Sequence, residues 1–354
     1  MAVALACSLL AHAGPAAAVA PPRLLVFPTP QSTATKHPSS PIVGENERLL
    51  VIAPHPDDET IGAGGLIQRV LEKNGTVRVV LMTAGDGYVE AVTRETHQPK
   101  PRPDDFIAFG ERRMKESRAA MRGLDHGRIR LQLLGFPDGG LDGLLRAHWA
   151  PGQPARSKTT DASDPPYDAE VVDPSIPYDG ADLRRELASV IAEARPTIVA
   201  LPDPLDTHPD HHATGVFSLL AIGDWLNGKT EGEPKLASSP SPPRILAYLV
   251  HWPDWPPGGE DKTISQKDER HSLLLPHDLP HRAPGPLSLR LSDHEIEKKR
   301  EAMARYASQQ AVMPSLLAAF VRRTEPFSEL GLAQVRAATQ FIPAPTAVPA
   351  APPP

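Results

Sequence analysis

Cysteine and basic charge are both scarce in this chain. Cys7 is the only cysteine among 354 residues, so no disulfide can form within the chain. The formal net charge is −6 and the isoelectric point lies near 6.2, which gives no basic footprint for nucleic acid. Beyond residue 20, no stretch approaches the ~20 consecutive apolar residues of a membrane-spanning helix. We therefore expect neither a nucleic-acid partner nor a transmembrane span.

Proline, in contrast, is abundant. The chain has 42 prolines, many of them near its two ends and in its loops. The 40% of hydrophobic residues suits a globular protein with one large α/β domain. We assign this domain to residues 47–335 and expect a proline-rich linker at 21–46. A disordered tail rich in proline and alanine is expected at 336–354.

The first 20 residues have the composition of a leader. They are rich in Ala, Leu and Val and end in Ala18-Val19-Ala20, which resembles a signal peptide with a small-residue cleavage site. Cys7 would suit a lipoprotein leader, although it lies very close to the start. No Lys or Arg precedes the apolar stretch, and Pro21 disfavours cleavage. We expect a signal peptide or lipoprotein leader, and hence export; a leader without this function would leave the protein in the cytoplasm.

After the linker, apolar runs alternate with helical patterns. The runs are typical of buried parallel strands and lie at residues 49–53, 77–82, 129–134, 197–201 and 245–250. This alternation predicts an α/β fold, a Rossmann-like three-layer sandwich with a mostly parallel sheet. Ligands bind at the carboxyl ends of the strands in such sheets. Between the runs, 88–109 reads as a long polar loop and Asp138 as a turn residue.

The first apolar run ends in a dense polar group. His55-Pro56-Asp57-Asp58-Glu59 follows it directly. Pro56 suits the first turn of a helix, and a sharp turn would place the polar side chains at the carboxyl end of the strand. A His55 at the edge of the helix shares a face with Asp58, which leaves Asp57 free for another task. Acidic residues also favour helix N-termini for structural reasons, so this motif alone does not establish a site.

A second polar group follows the run at 197–201. The segment Asp206-Thr207-His208-Pro209-Asp210-His211-His212 repeats the His-Pro-Asp arrangement. Imidazole and carboxylate groups are the ligands of catalytic zinc, which takes three protein ligands and keeps one position for water. Spacing alone does not identify which of the three histidines would bind metal. A solvated surface histidine is the alternative, and we favour it for His212.

Together the two motifs resemble those of the PIG-L (LmbE-like) zinc-dependent N-deacetylases. The segment His55 to Glu59 matches the family's His-Pro-Asp-Asp-Glu motif, and His208 to His211 matches its His-Pro-Asp-His motif. The resemblance implies a zinc cofactor. It implies that the metal ligands are His55, Asp58 and His211.

The resemblance also implies roles for residues that do not bind the metal. Asp57 would be the general base. His208 would polarise the substrate carbonyl or act as an acid, oriented by Asp210. Arg113 and Glu116, one helical turn apart, match a weaker family feature, and we interpret them as a structural ion pair near the site.

The expected chemistry is metal-assisted hydrolysis, because bound Zn²⁺ lowers the pKa of its water toward neutrality. The residues themselves do not choose between amide, ester and phosphate substrates. The resemblance implies removal of an N-acetyl group from an N-acetylglucosamine-type sugar or glycoconjugate. Other divalent transition metals accept the same ligands. Two alternatives remain: a metallo-esterase or other metal-dependent hydrolase using this site, and an envelope sugar-binding protein without catalysis.

Overall fold

The computed structural model describes residues 42–339 except for 126, 153, 168–170, 230–240, 259–269 and 281. The expected leader, the linker up to residue 41 and the tail from residue 340 lie outside the described residues. Both predicted boundaries of the domain, at 47 and 335, fall inside ordered structure. Val43 is buried in the core, and the helix Leu332–Thr339 extends into the predicted tail and buries Ala338.

The described residues contain one seven-stranded sheet with the order β3-β2-β1-β4-β5-β7-β6. Its strands are β1 (Arg48–Ala53), β2 (Thr76–Thr83), β3 (Arg130–Phe136), β4 (Ile198–Pro202), β5 (Arg244–Tyr248), β6 (Pro284–Arg290) and β7 (Thr324–Leu330). Neighbours from β3 to β5 pair in parallel, and β7 runs antiparallel to both β5 and β6. The mostly parallel sheet confirms the predicted α/β fold.

Helices cover both faces of this sheet. Within the described ranges they are α1 (Asp58–Glu72), α2 (Val89–Thr96), α3 (Pro103–Asp125), α4 (Leu141–Arg146), α5 (Gly180–Ala194), α6 (Pro209–Leu226), α7 (Asp293–Met303), α8 (Ala307–Gln310), α9 (Pro314–Ala319) and α10 (Leu332–Thr339). Alternate residues of β1 face different layers: Leu49 and Val51 pack with α1, α3 and α7, whereas Leu50 and Ile52 pack with α4, α5, α6 and α10. This is the predicted three-layer sandwich. None of the described helices has the length and apolar character needed to cross a bilayer.

Two features of the architecture differ from the prediction. The strands β6 and β7 are absent from the predicted set, because Pro284, Pro286 and Pro326 interrupt their apolar patterns. Proline is tolerated in β6 because β6 is the edge strand of this sheet, where a missing N–H costs little. The segment 88–109, predicted as a loop, contains α2 and the beginning of α3.

The strand order creates a crevice at the carboxyl end of the sheet. The strand β1 pairs with β2 on one side and with β4 on the other. The connections that follow β1 and β4 therefore diverge, and open α/β sheets bind their ligands at such a switch point. Both His-Pro-Asp turns follow these two strands.

A buried ion pair attaches the end of the chain to α1. Lys299 Nζ donates to Glu325 Oε1 at 2.7 Å and to the carbonyl oxygen of Ile61 at 2.8 Å. The same carboxylate accepts the backbone N–H groups of Gly65 and Leu66 at 2.6 and 2.9 Å. The helix that begins with the first polar motif is thus held by α7 and β7.

We expect Lys299→Met to lower the free energy of unfolding by about 3 kcal/mol, because it leaves the buried Glu325 carboxylate without its cation. Lys298→Met is the matched control: Lys298 pairs with Glu301 at the surface, and its loss should cost no more than about 1 kcal/mol. Urea denaturation of both variants measures the difference. Equal losses in the two variants would contradict a stabilising role for the buried pair.

Candidate active site

The turn after β1 places His55 against the first residue of α1. The helix begins at Asp58, so the prediction that Pro56 lies in its first turn is wrong, and Asp57 is the N-cap. Asp57 has φ 130° and ψ −32°, a conformation that costs a non-glycine residue of order 1–3 kcal/mol. The backbone nitrogen and Nδ1 of His55 each lie 3.1 Å from Asp58 Oδ2.

The turn after β4 supplies the second imidazole. His208 is the N-cap of α6 and Pro209 follows it in the first turn. His211 is fully buried, and its Nε2 lies 3.2 Å from Asp58 Oδ2. The ring of His212 is not part of this group; its Nδ1 lies 2.6 Å from the carbonyl oxygen of Pro204. The structure therefore brings together the three predicted metal ligands, with ligand atoms within 4.8 Å of one another.

The geometry of this group fits a zinc ion. Bonds of about 2.0–2.1 Å at tetrahedral angles would separate the ligand atoms by about 3.3 Å. The two separations around Asp58 Oδ2, 3.1 Å to His55 and 3.2 Å to His211, are close to that value. Neither ring nitrogen of His211 makes a well-oriented hydrogen bond to any described residue. A fully buried imidazole is costly in that state unless it binds another group, such as a metal ion.

Each ligand imidazole has a carboxylate beside its other ring nitrogen. His55 Nε2 lies 3.1 Å from Asp138 Oδ1 and 3.3 Å from Asp210 Oδ2. His211 Nδ1 lies 3.4 Å from Asp206 Oδ2. Such carboxylates orient metal-binding histidines and fix their tautomer. Neither carboxylate was among the predicted site residues: Asp206 had no predicted role and Asp138 was expected to be a turn residue, although both follow a strand in a polar turn.

The predicted contact between the Asp210 carboxylate and His208 is not present. Asp210 instead accepts the backbone N–H groups of Gly139 and Leu141 at 2.7 and 3.1 Å, beside its contact with His55. The group that reaches His208 Nδ1 is the backbone N–H of Asp210, at 3.3 Å. The prediction was wrong because the side chain of Asp210 points across the crevice toward the turn after β3.

Asp57 lies on the opposite side of the motif from this carboxylate cluster. It is buried, and Arg113 Nη2 lies 3.2 Å from its Oδ2 and 2.6 Å from the carbonyl oxygen of Pro56. Glu116 accepts the hydroxyl of Ser308 at 2.6 Å. Arg113 and Glu116 thus each bind a different partner at the site, instead of the single ion pair that we predicted.

His55, Asp57, Asp58, His208 and His211 line a cavity of about 330 Å³. Ile61, Val250, Met313 and Leu316 form an apolar part of its wall. His251, which follows β5, also lines the cavity, and its ring centroid lies 4.7 Å from that of His211 and 5.1 Å from that of His208. His251 was not among the predicted site residues, although its position after a buried strand was an available signal.

The electrostatics of the cluster favour positive charge. Burial opposes protonation of His211, but Asp58 and Asp206 outweigh it and raise its pKa to about 9. Burial likewise opposes the charge on Asp58, yet His211 and His55 bring the pKa of this carboxyl well below its usual range. The same attraction would act on a divalent cation, which the two imidazoles and the carboxylate would bind without added protons.

Two of the three predicted catalytic residues, Asp57 and His208, have pKa values shifted in opposite directions. Burial raises the pKa of Asp57 to about 8, although Arg113 opposes the rise. Burial and the charges of His55, His211 and His251 lower the pKa of His208 to about 3. His208 is therefore neutral at pH 7. Because its Nδ1 accepts the N–H of Asp210, the ring proton is assigned to Nε2.

Comparison with known protein families identifies the domain. The family described as "PIG-L: GlcNAc-PI de-N-acetylase" matches residues 50–222. These residues form a PIG-L domain. The family resemblance of the two motifs is thereby confirmed. The described sheet continues beyond this match with β5, β6 and β7.

Named relatives of this PIG-L domain are deacetylases, which hydrolyse amide bonds. The 1D-myo-inositol 2-acetamido-2-deoxy-alpha-D-glucopyranoside deacetylase of Mycobacterium avium is 28% identical over 289 residues, covering 77% of this chain and 83% of the relative. The diacetylchitobiose deacetylase of Thermococcus kodakarensis is 27% identical over 179 residues, covering 50% and 49%. A solved structure of N,N'-diacetylchitobiose deacetylase from Pyrococcus horikoshii is 17% identical, with a TM-score of 0.48 and coverage of 85% and 88%.

Neighbouring histidines allow a matched test of the metal group. We expect His211→Ala to lose most bound zinc, because it removes one of three ligands. His212→Ala should retain about one equivalent of zinc per chain, as in the unaltered protein. Elemental analysis after dialysis measures both. Equal zinc contents in the two variants would remove His211 from the ligand set.

Proposed function

We propose that this protein is a metal-dependent N-deacetylase that acts on an N-acetylglucosamine-type sugar or glycoconjugate. One observation carries the proposal: His55, Asp58 and His211 converge beside Asp57 in a single cavity of a PIG-L domain. The named activities of the relatives support an amide substrate and an acetylated amino sugar.

His55, Asp58 and His211 would hold the metal, with Asp138, Asp210 and Asp206 behind the two imidazoles. A bound divalent ion such as zinc would polarise the carbonyl and lower the pKa of water. We assign zinc because imidazole and carboxylate suit it, although iron and cobalt accept the same ligands.

Asp57 acts as the general base in this proposal. Its carboxylate lines the cavity beside the ligand Asp58 and is held by Arg113. Burial places its pKa at about 8, and a base works best when its pKa lies near the working pH. Asp57 would take a proton from the attacking water and return it to the nitrogen of the leaving amine. The products are acetate and the free amino sugar.

His208 stabilises the oxygen of the substrate carbonyl. As the water attacks the carbonyl carbon, negative charge builds on this oxygen, and a fixed N–H donor stabilises that charge. The neutral ring of His208 donates from Nε2, because its Nδ1 is held by the backbone N–H of Asp210. Two roles were predicted for His208: polarisation of the carbonyl and acid catalysis. Its low pKa supports the first of these.

The cavity and the leader together suggest the source of the substrate. A volume of about 330 Å³ lies at the small end of the range of ligand pockets, which favours one sugar unit with its acyl group. If the predicted leader directs export, the enzyme meets envelope or environmental glycans. We propose such glycans, or oligomers of N-acetylglucosamine, as the substrate class.

The direct test is an acetate assay with zinc-loaded protein on N-acetylglucosamine, N,N'-diacetylchitobiose and N-acetylglucosaminyl inositol. We expect acetate release from at least one of them, loss of release on chelation and recovery when zinc is added. Ester analogues serve as the comparison. No release from any N-acetyl sugar, or hydrolysis of esters alone, would contradict the proposal.

The assignment of Asp57 as the general base is tested by a substitution of its own. Asp57→Ala should lower kcat by at least about 100-fold, because it removes proton transfer in the transition state. Zinc content should stay unchanged, since Asp57 is not a ligand in this proposal. Unchanged turnover, with metal bound, would remove Asp57 as the base.

The neutral state of His208 can be tested by substitution and pH. His208→Ala should lower kcat by about 100-fold or more, as for loss of an oxyanion donor. His208→Gln should recover part of this loss, because a neutral amide N–H can replace Nε2–H. With a pKa of about 3, the ring stays neutral above pH 5, so His208 adds no titration between pH 5 and 9. A loss of kcat on raising the pH that is absent in His208→Gln would instead identify an imidazolium.

A further inference from the structure

The N-cap of α1 does not cap its helix in the usual way. An Asp at this position normally adopts an extended conformation and accepts a backbone N–H of its own helix through its carboxylate. Asp57 has φ 130°, and its side chain makes no such hydrogen bond. Its carboxylate faces the cavity instead. Some other group must therefore hold the backbone of Asp57 in a conformation that it would otherwise leave.

Glu59 is that group. Its Oε2 accepts the backbone N–H of Asp57 at 2.9 Å, while the carbonyl of Asp57 accepts the N–H groups of Thr60 and Ile61, also at 2.9 Å. The backbone of Asp57 is thus fixed on both sides of its Cα atom. One of these hydrogen bonds is made by a side chain, that of Glu59, which a substitution can remove.

The carboxylate of Glu59 is in turn held by two other elements. It is fully buried, and its Oε1 accepts the hydroxyl of Ser117 in α3 at 2.6 Å and that of Tyr306, just before α8, at 2.8 Å. The hydroxyl of Tyr306 also lies 2.6 Å from Thr60 Oγ1. Both hydroxyls come from elements that follow α1 in sequence and pack around it.

We propose that Glu59 is a positioning residue for the base Asp57, and that Tyr306 and Ser117 hold Glu59 in place. The inference rests on the proposed function, because it presumes that Asp57 takes the proton. Without Glu59, the backbone of Asp57 would relax toward the extended conformation of an ordinary N-cap. Its carboxylate would then accept an N–H of α1 and leave the position from which it reaches water.

Two substitutions of Glu59 separate this role from a general loss of stability. Glu59→Leu fills the space without an acceptor. We expect kcat to fall by about tenfold or more, because a small displacement of the Asp57 carboxylate slows the reaction strongly. KM and zinc content should stay within about twofold. Glu59→Gln should retain kcat within about threefold, since its amide oxygen can accept the N–H of Asp57 and its NH₂ can donate to Tyr306.

Glu325→Gln is the matched control, because Glu325 is another buried carboxylate that accepts backbone N–H groups of α1. It should lower the melting temperature and leave kcat within about twofold.

In an Asp57→Ala background, Glu59→Leu should cause no further loss of kcat, because the residue through which it acts is gone. A full additional loss there would overturn the proposal.

Hydrogen exchange gives a readout that does not depend on activity. The amide of Asp57 should exchange at least about tenfold faster in Glu59→Leu than in the unaltered protein, and at the original rate in Glu59→Gln and Glu325→Gln. Unchanged exchange in Glu59→Leu would overturn the role of Glu59. If no N-acetyl sugar is hydrolysed but exchange changes as expected, the proposed function fails and the hydrogen bond to Asp57 stands.

Tyr306→Phe keeps the ring and removes one donor to Glu59, so it serves if Glu59→Leu does not fold. We expect about threefold lower kcat and faster exchange at Asp57, smaller than for Glu59→Leu. Ser117→Ala should behave in the same way. Unaltered kcat and exchange in both variants would overturn the assignment of these hydroxyls.

Discussion

The site depends on one oxygen atom shared by two distant turns. Asp58 Oδ2 lies 3.1 Å from an imidazole nitrogen of its own turn and 3.2 Å from one of His211. These residues meet because β1 and β4 are neighbours in the sheet although they lie far apart in sequence. A shift in the pairing of these two strands would move His211 away from His55 and Asp58, the other two candidate metal ligands. The position of the sheet strands is thus the first requirement of the chemistry.

Negative charge exceeds positive charge around this oxygen. Asp138, Asp206 and Asp210 surround the two imidazoles, while Arg113 pairs with Asp57 on the far side. Buried carboxylates in such number are costly unless a cation or protons balance them. The same excess explains why the imidazole pKa values at the ligand positions rise, while the pKa of His208, which lacks a close carboxylate, falls.

Sequence alone predicted the parallel strands and the two His-Pro-Asp motifs, because each is a local pattern. It could not predict contacts that depend on four strand ends meeting, so it missed Asp206, Asp138 and His251 as members of the site. It also assigned the wrong partner to Asp210, since a motif specifies a carboxylate but not the direction in which it points. The strands β6 and β7 were missed for a different reason: Pro284, Pro286 and Pro326 interrupt their apolar patterns.

The family match ends at residue 222, yet the supports of α1 come from beyond it. Lys299, Tyr306 and Glu325 all bind α1 at or near its first three turns. The segment that carries both His-Pro-Asp motifs is therefore held in place by residues that follow the family match. A chimera that joins residues 50–222 to the closing segment of a relative would need to preserve these three contacts, and exchange of the two halves among family members is constrained accordingly.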